Sequence, residues 1–255
     1  MKDNLIRVAP IEPGIVSLTL DRAERRNALN IPLLEQLVDE LQSIEGERAN
    51  RVVILSGAGP VFSAGLDLHE ASDLSLIERS AIAVERALHR LQQSPLIVIA
   101  AVQGGAYAGG AGLMAACDIV IAADDAQFGF PEARRGLLPA LICHVLRHKV
   151  AVGDLRDLFL SGEACDAVRA RRVGLVQRIV PATQLQSAAI DLARSVILGG
   201  PFTIRQTKEL INEMFTEFGH DGGVHGVKEH LAARHSEEAR EGLAAFIEKR
   251  EPQWE

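Results

Sequence analysis

The chain has 255 residues, a formal net charge of -7, 47% hydrophobic and 24% charged residues, an ordinary balance for a globular protein able to bury a sizeable core. Its acidic balance argues against a protein that lives on nucleic-acid phosphates or anionic lipid. The three cysteines, Cys117, Cys143 and Cys165, are odd in number and form no CxxC pair, which fits buried thiols in a reducing compartment. No apolar run is long enough to cross a bilayer, and the N-terminal MKDNLIRVAPIEPG has no signal-peptide character, so a soluble cytoplasmic protein is expected.

Taken in chain order, GIVSLTLD (Gly14 to Asp21) is rich in β-branched residues and reads as a strand. NIPLLEQLVDELQSIEG carries Leu33, Leu34, Leu37, Val38 and Leu41 at helical spacing behind Asn30, a good N-cap. RVVILSG is a short strand ending in glycine, Leu76 to Leu91 reads as a helix, and PLIVIAAV reads as a strand buried on both faces. DIVIAA and QFGF are further strand-like pieces, so strands alternate with helices and predict an α/β architecture. After VGLVQRIV the patterns are helical only. Gly199-Gly200 then divides an α/β core, residues 1–199, from a helical segment, residues 200–255.

GGAYAGGAGLMAACD, Gly104 to Asp118, has almost no reactive side chain. It lies between a buried strand and a helix expected to begin near Gly109. Glycines let a ligand approach the backbone, and a helix start carries unpaired N–H groups. Such a place can hold a phosphate or an oxygen that becomes negative. Tight packing of a helix on a sheet explains the same composition equally well. The patterns GxGxxG and GxxxxGK are absent. GPVFSAGLDL, Gly59 to Leu68, is a second small-residue junction after a strand. Two such junctions could put two backbone N–H groups around one oxygen.

In their order and distances these segments resemble the crotonase, or enoyl-CoA hydratase/isomerase, family over nearly the whole chain. DRAERRNALN is similar to the family's CoA-side motif, VFSAGLDL and VQGGAYAGGAGLMAACDIVIA to its two oxyanion motifs, and AQFGFPEARRGLLP to its catalytic-acid segment. GLVQRIVP and EGLAAFIEKREPQW complete the series. The resemblance implies a spiral of ββα units with a helical C-terminal segment. It implies an acyl-CoA or acyl-carrier thioester as substrate, no cofactor beyond the coenzyme A of that substrate, no metal, and a homotrimer or dimer of trimers. It assigns the oxyanion N–H groups to Leu66 and Gly109 and the acid/base to Glu132. Ala64 and Gly112 fall at acyl-CoA-facing positions, and Arg25, Arg26, Lys208 and Lys249 at basic positions toward CoA. By residue type alone a charge run is more often a solvated face, and a glutamate beside Arg134 and Arg135 a surface one. The place of Glu132 in the motif series reverses those odds.

Hydratases of the family typically use a second glutamate, three residues after the oxyanion glycine. Here that position is Gly112. A single carboxylate suffices to carry a proton from C2 to C4 of an enoyl thioester, whereas adding water asks for both a base and an acid. Double-bond migration is therefore slightly favoured over hydration. A methylglutaconyl-CoA hydratase-like activity, suggested by GLLPALI, and an acyl-thioester decarboxylase remain as alternatives. So does a non-catalytic acyl-CoA-binding subunit. Ala140 stands where dienoyl isomerases and dehalogenases of the family carry aspartate, which argues against both. His144, His148, His220, His225, His230 and His235 complete no metal motif and read as structural or surface residues. Tyr107 reads equally as acyl-pocket lining or core.

Overall fold

The computed structural model describes residues 4–214, 227–228, 230–232, 234–250 and 253. His220 and His225 lie outside them. The first strands are β1 (Ile6–Glu12), β2 (Ile15–Leu20), β3 (Val52–Gly57) and β4 (Ile97–Val102), followed by β5 (Gly105–Tyr107), β6 (Ile119–Ala123), β7 (Gln127–Gly129), β8 (Cys165–Asp166) and β9 (Arg178–Val180). One sheet has the order β1-β2-β3-β4-β6-β9; a smaller one has the order β5-β7-β8. Apart from the β1–β2 hairpin, the large sheet is parallel. That explains the unbroken apolar runs of β3 and β4, since a parallel sheet is covered on both faces.

Among the described residues, the helices with both ends described are α1 (Ile31–Gly46), α2 (Leu68–Ala71), α3 (Ile77–Gln93), α4 (Gly109–Ala115), α5 (Ala140–Leu146), α6 (Val152–Ser161), α7 (Ala167–Arg172), α8 (Leu185–Ile197), α9 (Pro201–Met214) and α10 (Glu237–Glu248), and His230 is helical as well. Asn30 caps α1 as its sequence suggests, its side chain accepting from the Leu33 amide at 3.1 Å. Leu33, Leu34, Leu37 and Leu41 are buried on one face of α1. Each fully buried leucine contributes about 1.5–3 kcal/mol.

Two turns create the site. The chain leaves β4 at Val102, turns at Gln103-Gly104, and enters β5 in the second sheet; it repeats this move from β6 to β7. Gly104 takes φ +59, and a Cβ there would lie 1.9 Å from the Pro60 carbonyl oxygen, so only glycine fits. Each passage hands a short strand to a functional segment: β5 to α4, and β7 to the Pro131-Glu132 turn.

The tail after Gly199-Gly200 packs back on the same chain. Lys208 on α9 reaches the sheet, and α10 lies on the turn after Glu132. Among the described residues, no helix is long and apolar enough to cross a membrane.

Candidate active site

The loop after β3 is held by a buried polar network. Asn27, fully buried, donates to the carbonyls of Ala58 and Val61 at 2.8 and 3.0 Å, and its Oδ1 accepts from the Arg22 amide. Ser63 Oγ donates to the Asn27 carbonyl at 2.8 Å, and the Ser63 carbonyl accepts from the Tyr107 amide at 3.0 Å. Arg22 pairs with Asp67 at 2.6 Å, both largely buried. A network with its members satisfied fixes geometry, and here it binds the segments 22–30, 58–67 and 105–107 into one rigid wall.

Leu66 and Gly109 meet on that wall. The Gly65 carbonyl accepts from Leu29 and the Asp67 amide donates to Leu29, so the strand-like bridge ties both neighbours of Leu66. Among the described residues the amides of Leu66 and Gly109 themselves donate to nothing. They are close together: a Cβ built on Gly109 would lie 3.9 Å from the Leu66 nitrogen. The second amide is set by an unusual backbone. Ala108, a non-glycine residue, holds φ 48 and ψ −123, while its own amide donates to the Gly129 carbonyl at 2.9 Å. Strain of this kind persists only where the surroundings over-determine it. Two adjacent unpaired N–H groups, that of Gly109 at the start of α4, can stabilise an oxygen as it becomes negative.

Glu132 lies in the same cleft. Phe130 anchors the preceding turn in the core, edge-on to Phe159 at 5.1 Å. The Glu132 carbonyl then accepts from the amides of Arg135 and Leu137, which fixes the residue at the head of a 3-10 turn, Ala133–Arg135. Its side chain is buried and Oε2 has no hydrogen-bond partner among the described residues. Burial pushes the carboxyl up to about 7. The remaining walls are Leu66, Leu68, Val84, Ala108, Gly109, Leu137, Leu138, Pro139, Leu141 and Ile142, with Arg135 and His230. This is an apolar cleft with a few polar groups.

The enoyl-CoA hydratase/isomerase family profile matches residues 10–255. The chain belongs to that family. A Thermus thermophilus protein named as an enoyl-CoA hydratase is 34% identical over 96% of this chain and 99% of its own length. The 2,3-dehydroadipyl-CoA hydratase of Escherichia coli is 32% identical over 93% of this chain and 94% of its own. The crystal structure of an enoyl-CoA hydratase from Mycobacterium avium superposes with a TM-score of 0.89 at 34% identity, over 99% of this chain and 100% of that one. The fold is thus that of the crotonases, and the chain is an enzyme of the enoyl-CoA hydratase family acting on acyl-CoA.

Within this family frame the site residues expected from sequence divide. Leu66, Gly109 and Glu132 come together on one cleft. Arg25 and Arg26 are exposed, and the Arg26 carbonyl accepts from the Ala64 amide at 2.9 Å, so the basic turn sits beside Ala64 but outside the apolar cleft. Lys249 is exposed at the end of α10. Tyr107, half-buried, packs against Gly105 and Gly129 rather than on the cleft.

Two expectations need correction. Lys208 is buried, with Nζ donating to the Leu96 carbonyl at 3.0 Å and to Asp118 Oδ2 at 2.8 Å. Leu96 and Asp118 immediately precede β4 and β6, whereas the cleft forms beyond the other ends of these strands. Lys208 is therefore a structural cation on the opposite edge of the sheet, not one facing CoA. Gly112 is also not on the cleft. A Cβ there would lie 2.2 Å from Ile142 Cγ2, so Ile142 of α5 stands between position 112 and the acyl space. His230, read from sequence as structural or surface, lines the cleft, and burial drives its imidazole down to about 4, neutral at ordinary pH. Nothing in its five-residue spacing with other histidines distinguishes it. His144 is half-buried and His148 and His235 are exposed; no metal-binding cluster occurs among the described residues.

Proposed function

We propose that the enzyme works through an enolate of its acyl-CoA substrate, with the thioester oxygen held by the amides of Leu66 and Gly109 and with Glu132 as the single acid/base. The carrying observation is the pair of unpaired amides beside a buried carboxylate that has an unpartnered oxygen. Each such donor is worth on the order of 10²–10³ in rate. Holding the developing oxyanion acidifies C2, and Glu132 takes that proton. Return of the same proton at C4 moves the double bond. A carboxyl whose ordinary acidity is weakened by burial to about 7 is suited to both halves of that transfer at neutral pH. Ile142 occupies the place beside Gly112, so the wall offers no second carboxylate there. This favours double-bond migration.

Hydration is the second reading, favoured by relatives named as hydratases at 32–34% identity. Glu132 would then activate water and deliver the proton at C2 in turn. Neither reaction needs a cofactor beyond the CoA of the substrate. A homotrimer or dimer of trimers is part of the proposal, because α9 leaves Phe202, Leu210 and Ile211 exposed on one chain.

The test combines 2-enoyl and 3-enoyl thioesters with solvent-deuterium exchange at C4 of the former and C2 of the latter. Wild type should exchange and convert, and Glu132→Gln should lose both by roughly 10² or more while still binding the thioester. An unimpaired Glu132→Gln enzyme would refute the assignment, and a wild type that binds without exchange would make the protein a binder. Light scattering of the intact protein reads its oligomeric mass.

A further inference from the structure

The cleft contains a cation that the proposed mechanism does not use. Arg135 follows Glu132 by three residues on a 3-10 turn, a spacing at which side chains eclipse. It lines the same cleft as Glu132, Leu137 and Ile142. Its guanidinium carbon sits 4.7 Å from the centroid of the Phe246 ring on α10, which holds one face of the fork. Among the described residues the fork donates to no oxygen, and it makes no ion pair with Glu132, whose Oε2 stays unpartnered. Burial lowers the affinity of Arg135 for its proton, so the charge is held at a cost. His230 is neutral in this setting, leaving Arg135 the single charged base among the residues that line the cleft.

A half-buried guanidinium with no acceptor is costly until an anion meets it, and its planar fork matches a carboxylate at two points. The anion must come with the substrate. Arg135 lines the cleft that also holds the Leu66 and Gly109 amides and Glu132, so a short acyl chain with its thioester oxygen at those amides and C2 at Glu132 would have its distal end within the same cleft as the guanidinium.

We propose that Arg135 is a specificity residue that receives a carboxylate at the far end of the acyl chain, so that the substrates are CoA monothioesters of short unsaturated dicarboxylic acids. This rests on reading the cleft as the acyl-CoA site. It also explains why an arginine is tolerated on a largely apolar wall. Were Arg135 only the counter-ion of Glu132, the pair would be joined directly; instead no ion pair or hydrogen bond links them, and the pull of Arg135 on the carboxyl opposes burial without cancelling it.

The experiment compares crotonyl-CoA with glutaconyl-CoA, which differ by one carboxyl group, in wild type, Arg135→Leu and Arg135→Lys. The readout is the ratio of kcat/KM for solvent-deuterium exchange at C4, the carbon from which a 2-enoyl thioester loses its proton to form the dienolate, because damage to the fold or to Glu132 moves both alike. Wild type should favour glutaconyl-CoA, and Arg135→Leu should lower the ratio by about 10- to 100-fold. Arg135→Lys should retain part of it, having charge without the fork. In wild type alone, glutaryl-CoA should inhibit more tightly than butyryl-CoA, a measurement that needs no variant to fold. A wild-type ratio at or below one, equal inhibition by the two saturated thioesters, or a ratio unmoved in Arg135→Leu would overturn the proposal. Glu132→Gln separates the two ideas: if it keeps exchange on both thioesters, the acid/base assignment fails while a preference set by Arg135 stands.

Discussion

Glu132 shows how one side chain couples stability to chemistry. Its carboxyl is pushed to about 7 from an ordinary 4.5 because burial penalises the ion. The folded protein therefore holds the proton more tightly than the unfolded chain. The stability this gives is complete below about 4.5 and is lost as pH rises through about 7, amounting to about 3 kcal/mol. Glu132→Gln removes the ionisable group, so its melting temperature should exceed that of wild type by several degrees at about pH 8.5, and by much less at about pH 5. Equal differences at both pH values would mean that Glu132 ionises normally. If the residue must be ionised to take the C2 proton, wild-type kcat/KM should rise with pH through about 7. At position 112 the structure changes what to expect from adding a second acid. Gly112→Glu alone meets Ile142 at 2.2 Å and should destabilise by about 1–3 kcal/mol without gaining hydration. Paired with Ile142→Ala, which clears the acyl side, it should recover stability and raise hydration of crotonyl-CoA relative to double-bond migration. Assay of both reactions beside thermal melting decides the matter; a double variant that melts normally and hydrates no faster would show that the missing acid is not what limits hydration.

At the scale of elements, α10 packs tightly on the turn that carries Glu132. Gly242 lies so near this turn that a Cβ would come within 2.2 Å of the Arg135 carbonyl oxygen. Leu243 and Ala239 bury themselves against Leu137, with Leu68 at the edge. The helix thus braces the acid turn and supplies the Phe246 ring beneath Arg135. Gly242→Ala should push the helix outward, lowering stability by about 1–3 kcal/mol and reducing kcat more than thioester affinity. A variant with normal kcat would mean that the acid turn holds its own shape. The sequence made part of this visible. Pro131-Glu132 after an aromatic strand, and the paired glycine-rich junctions, could be read because their spacing is dictated by two strand-to-loop passages. The bracing contact could not, since it depends on an absent side chain at Gly242 meeting a backbone far away in sequence. The short strands β5 and β8, of three and two residues, are too brief to show any period. His230 also escaped, because nothing in a lone histidine on a helix says which surface covers it.

For the molecule as a whole, the parallel sheet separates two kinds of charge. At the ends where β3, β4 and β6 leave the sheet, the loops assemble the cleft; at the ends where β4 and β6 enter it, Asp118 and Lys208 form a buried pair. Asp118 Oδ2 also accepts from the Val98 amide at 2.8 Å, so this pair pins α9 to two adjacent strands. The sequence could not distinguish Lys208 from a cation facing CoA, because a lysine on an amphipathic helix carries no sign of which face will be covered. Burial decides it. Removing one partner of a buried pair leaves an uncompensated charge and costs about 3–5 kcal/mol. Lys208→Leu should therefore lower the melting temperature markedly, while kcat/KM of the surviving folded enzyme and its affinity for CoA stay near wild type. Adding Asp118→Asn removes the stranded negative charge and keeps a donor and acceptor at that place, so the double variant should regain part of the lost stability. The opposite pattern, weak CoA binding at an unchanged melting temperature, would return Lys208 to the CoA side and require a second conformation of α9. Calorimetric unfolding and CoA titration on the same three proteins separate these outcomes, because stability and ligand affinity are read at opposite edges of one sheet.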